Sequence, residues 1–181
     1  RRSRSGGGMS DAAERFSALS REFLTWMWFE SERNNGRVDL EDVSAVGVEF
    51  AHRLTLESPG AAREGHTVSA DAPSEAEEAR VALRTGKKVA SSRLLLHVGE
   101  RQFELSISAE TFVFSGVKLP TLLTAGDDDR LSERLALIEE LEALLDGLYL
   151  QYARLRLDET RWRSTRAAMV RWVTDAGADR A

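Results

Sequence analysis

KVASSRLLLHVGERQFELSISAETFVFSGVK, Lys88–Lys118, is the stretch that decides the fold. It divides into three expected strands, Lys88–Val98, Gln102–Ser108 and Thr111–Lys118, with Gly99-Glu100 as the first turn. Phe103, Leu105 and Ile107 recur at period two and share one face. Phe112 and Phe114 share a face of the last strand, and Val113 takes the opposite one. Connections this short join antiparallel neighbours, so the run reads as a meander.

Toward the N-terminus, Ser74–Thr85 reads as a short helix. Ser74 is placed to cap it, Glu75, Glu77 and Glu78 suit its positive end, and Gly86 ends it. Before it, Val46, Val48, Phe50, Leu54 and Leu56 alternate with Glu49, Ala51, Arg53 and Thr55, the pattern of a half-buried strand over Val46–Leu56. Ser58-Pro59-Gly60 breaks that strand, and a short strand at His66–Ala70 is expected to pair with it as a hairpin. A first helix is expected over Asp11–Asn34, capped by Ser10 and stopped by Asn34-Asn35-Gly36. Beyond the meander, Asp127-Asp128-Asp129 open a long leucine-rich helix over Asp129–Leu157. Asp158 or Thr160 then caps a last helix to Asp175. On the long helix the apolar arc takes in Leu131, Leu135, Ile138, Leu141, Leu144, Leu145, Leu148, Tyr149 and Tyr152. The expected fold is α+β: an antiparallel β-meander packed with an N-terminal aromatic helix and two C-terminal helices. It forms one domain over 9–181, preceded by RRSRSGGG as a linker.

The chain has 181 residues, 42% hydrophobic and 30% charged, so it can bury a core of ordinary size. No apolar run approaches ~18 residues, so no membrane span is expected. With no cysteine, disulfides and thiolate chemistry are excluded, which fits a cytoplasmic setting. The formal charge is −5, and the linker carries Arg1, Arg2 and Arg4, so the rest stands at −8 (−5 minus 3). That acidity runs against a general polyanion binder.

The first helix holds the densest aromatic run, FLTWMWF, Phe23–Phe29. Phe16, Leu19, Phe23, Leu24, Trp26 and Met27 share one broad arc. Trp28 sits at its margin, and Phe29 points away beside Arg21, Glu22 and Thr25. One flat partner cannot cover such a helix, so either a second segment or another subunit wraps it. Trp26, Phe23 and Met27 are expected to pack inward and Trp28 or Phe29 to reach a second surface. Phe23, Trp26, Trp28 and Phe29 thus form an expected interface set, with homodimerisation or a stable partner as its consequence.

No arrangement of residues points to catalysis. His52, His66 and His97 fall on expected strands, but their spacing matches no ligand pattern, so no metal is expected. Asp127-Asp128-Asp129 lacks the alternating, glycine-containing pattern of a calcium loop and reads as helix capping. Gly6-Gly7-Gly8 follows no strand and precedes no Lys-Ser/Thr, so it is no phosphate loop. No cofactor is expected. Two basic groups stand out instead. Arg80, Arg84, Lys87 and Lys88 lie where the short helix meets the meander, and Arg154–Arg171 carries six arginines against Asp158 and Glu159. On the helical wheel Arg163 and Arg166 flank the apolar stripe of the last helix, formed by Trp162, Met169, Trp172 and Val173. The six candidate phosphate contacts are Arg80, Arg84, Lys87, Lys88, Arg163 and Arg166. Such groups are more often solvated ion pairs and helix-end cations.

The order of these segments resembles a known family. LSREFLTWMWFESE, then strands, GKKV, the hairpin RLLLHVGERQFELSI, SGVKLP, a leucine-rich helix and YARLRLDETRWRSTRAAMVRW are similar to the C-terminal half of the RdgC-like recombination-associated proteins. The similarity spans Leu19 to Val173 and is most specific at Arg21–Trp28 and Gly86-Lys87. It implies an α+β, non-enzymatic factor that binds duplex DNA with little sequence preference, forms a homodimer and modulates recombination at the nucleoid. The alternative is a protein-interaction or assembly module that keeps the fold without binding DNA.

Overall fold

The computed structural model describes residues 7–40, 43–58, 64–124 and 126–175. Four helices and a six-stranded antiparallel sheet follow in the order α1 (Gly7–Arg33), β1 (Arg37–Leu40), β2 (Val43–Glu57), β3 (Gly65–Ser69), α2 (Glu77–Arg84), β4 (Lys88–Val98), β5 (Arg101–Ser108), β6 (Val113–Lys118), α3 (Asp127–Leu157) and α4 (Glu159–Asp175). The fold is α+β, as expected, with the aromatic helix first and two helices last.

The sheet runs β1-β2-β4-β5-β6, and β3 also pairs with β2. The long β2 strand organises it. One edge carries β4 along most of its length, and the other is shared by β1 at its start and β3 at its end, with Val38 opposite Val46 and Leu54 opposite Val68. The hairpin expected at His66–Ala70 is therefore present, while β1 went unread because four residues with only Val38 buried show no alternation. Period-two patterning holds through the meander. Leu94 stands opposite Leu105, Ile107 stands opposite Phe114, and Leu94, Leu96, Phe103, Leu105 and Ile107 are all buried on one face.

His52 would point inward by alternation, yet it is exposed. A β-bulge falls between Ala51 and Leu54, where β2 takes extra residues against β4. The bulge holds His52 at φ 58°, a left-handed conformation that histidine adopts more readily than most side chains. It leaves Val46, Val48, Phe50, Leu54 and Leu56 all facing the core.

Several boundaries differ from the sequence reading. α1 starts at Gly7, so Ser10 lies inside the helix rather than capping it, and Gly7-Gly8 belong to α1 rather than to the linker. The first six residues, the Phe16 side chain and Pro59-Gly60 lie outside what the structure describes. The expected Ser74–Thr85 helix is split into a 3-10 turn at Pro73–Glu75 and α2, whose cap position is Ala76. Asp158, not Thr160, caps α4: its Oδ1 accepts from the backbone N–H groups of Thr160 and Arg161 at 3.1 and 3.0 Å.

α1 is the centre of the molecule. It lies on the sheet, with α3 and α4 covering its other side, so every residue from Ser20 to Ser31 is buried or half-buried. α4 turns back at Asp158 and returns over α1, where Trp172 meets Trp28 and Phe29. α3 buries Leu141, Leu144, Leu145, Leu148 and Tyr152 along its second half, which packs on β1 and α1. Leu131, Leu135 and Ile138, expected on the same buried arc, are 59%, 53% and 39% exposed. No described helix is long and apolar enough to cross a membrane.

Candidate functional site

Wrapping α1 in apolar layers forces its polar side chains to find partners, because a buried unpaired polar group costs roughly 1–3 kcal/mol. Two aromatic nests result. On one side Phe23 and Trp26 pack with Phe112, Tyr149 and Tyr152, and Trp162 closes on Tyr152 edge-on. On the other Trp28 and Phe29 pack with Phe50 and Trp172. Phe23, Trp26, Trp28 and Phe29 are each 3% exposed or less. This corrects the expected interface set. Trp28 and Phe29 reach no second surface, because a segment of the same chain, α4, wraps the helix, the first of the two alternatives.

Each nest carries a carboxylate at its edge. Glu22 accepts from Tyr152 Oη at 2.9 Å and Arg156 Nε at 3.0 Å, and pairs with Lys88 Nζ at 3.3 Å. Burial pushes the Glu22 carboxyl up, but Lys88, Tyr152 and Arg156 together hold it below the usual carboxylate range. Burial and the Glu22 charge drive the Tyr152 phenol far above its ordinary value, so it stays a neutral donor. Glu32 accepts from Trp28 Nε1 at 2.7 Å, from Trp172 Nε1 at 2.8 Å and from Arg80 at 2.9 and 3.1 Å. Arg21, itself buried, reaches Glu57 at 2.7 Å.

These partners account for half of the expected phosphate contacts. Arg80 is committed to Glu32 and Lys88 to Glu22. Arg84 pairs with Glu77 at 3.2 Å and donates to the Val173 carbonyl. Lys87 is half-buried in a small depression with His66 and Val81. Arg163 and Arg166 are exposed and make no ion pair among the described residues. The six cations thus do not form one patch. The sequence signal for Arg80 and Lys88 lies in α1: Glu22 and Glu32 flank the aromatic run Phe23–Phe29, and carboxylates so placed draw in cations.

The cations that sequence reading set aside are brought together instead. A cleft of about 810 Å³ opens between α1, β1, α3 and α4. Arg33, Arg154, Arg161 and Arg171 line it, with Glu30 and Asp39 among them. Burial raises the Glu30 carboxyl above its usual range, against the pull of Arg33 and Asn34. The floor includes Trp26 Nε1 and Gln151 Oε1, both closed from solvent and neither hydrogen-bonded. Trp26 Nε1 pulls on the Glu30 carboxylate without reaching hydrogen-bond geometry. No three metal-ligating side chains come together among the described residues, so His52, His66 and His97 do not converge. The chemistry on offer is recognition of an anion with hydrogen-bonding groups.

The chain matches no family model, no curated protein and no solved structure.

Proposed function

We propose that this chain is a non-catalytic, DNA-associated factor that holds duplex phosphates along α4 and, in keeping with its RdgC-like resemblance, modulates recombination. The observation that carries the reading is the state of the α4 arginines. Arg163 and Arg166 are exposed on a face of α4 other than the one lining the cleft, and neither is ion-paired among the described residues. Uncommitted guanidiniums on one outer helix are what a backbone contact requires, and they act locally against the chain's net negative charge. Arg80, Arg84 and Lys88 drop out of the contact set, and Lys87, Arg163 and Arg166 stay in it.

A second reading, a protein-assembly module, is favoured by the exposed stripe of Leu131, Leu135 and Ile138 on α3. Anisotropy of a labelled duplex of about 30 base pairs, at two salt concentrations, separates the two. Arg1, Arg2 and Arg4 are replaced by Ser so that the terminus contributes no binding. Affinity that falls steeply with salt, and by about tenfold in Arg163→Glu/Arg166→Glu, is the expected result. No binding at low salt overturns it and leaves the assembly reading.

A further inference from the structure

The α1/α3/α4 cleft has a polarity that the duplex reading does not use. Its α4 wall is a single stripe, Arg161, Ser164, Thr165, Ala168 and Arg171, at helical spacings of three, four, seven and ten. The two guanidinium-bearing positions stand about 15 Å apart along the axis. Their neighbours fix which end each one occupies. Trp162 packs on Tyr152 near the end of α3, which puts Arg161 at the Arg154 end. Trp172 packs on Phe29, over which Arg33 also lies, which puts Arg171 at the Arg33 end. The cleft therefore has two cationic poles.

Between the poles the wall is small and polar. Ala168 leaves room, Ser164 and Thr165 offer hydroxyls, and Gln151 joins the lining from α3. Its amide oxygen is buried with no hydrogen-bond partner. The last torsion of a glutamine side chain is soft, so its amide can turn into the cleft at little cost. Glu30 and Asp39, on the α1 and β1 side, are acceptors suited to hydroxyl donors.

We propose that this cleft binds a nucleotide unit flanked by two phosphates, with one phosphate at each arginine pole and the base edge read by Gln151. The poles match an anion at either end, the amide matches a planar edge with a donor, and the carboxylates match sugar hydroxyls. A single phosphate would leave one pole unused. The volume is within the range of pockets that enclose ligands of this size. Such a unit comes from a free nucleoside 3′,5′-bisphosphate or from an unpaired strand. The inference is independent of duplex binding, because Arg163 and Arg166 lie on a different face of α4 from this stripe.

Calorimetry on the full chain tests it with adenosine 3′,5′-bisphosphate, adenosine 5′-monophosphate, inorganic phosphate and a single-stranded oligothymidylate. The bisphosphate is expected to bind about tenfold more tightly than the monophosphate. Arg161→Ala and Arg171→Ala should each remove that advantage. Gln151→Leu should weaken both nucleotides and leave inorganic phosphate unchanged. Binding of the oligonucleotide but not the free bisphosphate assigns the strand as the source, and the reverse assigns the free nucleotide. The proposal is overturned if none of the four binds at about 5 mM. It is equally overturned if binding is indifferent to Arg161→Ala and Arg171→Ala in chains that melt like the parent.

Discussion

Glu32 and Glu30 stand two residues apart on α1 and meet opposite surroundings. Glu32 is saturated at the edge of an aromatic nest by two indole donors and Arg80. Glu30 lies on the wall of the open cleft, where burial raises its carboxyl and Arg33, 3.8 Å away, answers it only weakly. One face of the helix uses its charge to fasten the fold, and the next holds charge that the fold does not consume. The difference shows why the count of cations in the sequence misleads. A cation opposite a carboxylate saturated with donors is structural, and one beside a half-satisfied carboxylate at a cleft is available.

The contrast breaks most severely if the Glu32 side loses its aromatic packing. Trp28 is fully buried between Phe50 and Trp172 and donates to Glu32. Trp28→Ala is expected to cost about 3–5 kcal/mol, read by urea denaturation, with no dependence on protein concentration. A dependence on concentration would mean that another subunit, not α4, completes the nest. Glu32→Gln is the next step down. It keeps the shape but weakens three donor contacts and leaves Arg80 without its counter-charge. Arg80 and Glu32 are partly solvated, so the expected loss is about 1–2 kcal/mol. A loss within about 0.5 kcal/mol, the scale of an ordinary surface change, would show the hub to be incidental.

The sheet was legible in the sequence because period two survives almost unbroken from Val89 to Ile107, and the long helices because their apolar positions recur at 3.6. What the sequence hid was which part of a pattern finds a partner. Leu131, Leu135 and Ile138 continue the spacing of Leu141 and Leu145, yet they stay exposed while Leu141 and Leu145 are buried. FLTWMWF announced a helix wrapped on all sides without saying whether the wrapping came from the same chain. The cleft was the least legible part. Arg33 ends α1 and Asp39 lies on β1, Gln151 and Arg154 belong to α3, and Arg161 and Arg171 lie on a face of α4 that its apolar stripe does not include. Only the return of α4 over α1 makes them neighbours.

The mildest way to sharpen the contrast is with pH, and Glu22 and Glu30 should respond with opposite sign. Glu22 titrates below its unfolded value, so the unfolded chain binds its proton first as pH falls. The stability it contributes is present above the ordinary carboxylate pKa, about 4.3, and is lost as pH drops through the lower folded value. Glu30 titrates above its unfolded value, so its contribution is full below that same ordinary pKa and is lost as pH rises through the higher folded value. Melting temperatures of Glu22→Gln and Glu30→Gln between pH 7 and 3 should therefore diverge from the parent in opposite directions. Glu22→Gln should melt lower at pH 7 and converge on the parent in acid, because the parent then loses the same carboxylate. Glu30→Gln, which mimics the protonated acid, should melt higher at pH 7 and lose that gain in acid. If Glu30→Gln instead melts lower at pH 7, the Arg33 pair outweighs burial, Glu30 belongs with Glu32 among the fastened groups, and Arg33 is no longer available at its end of the cleft.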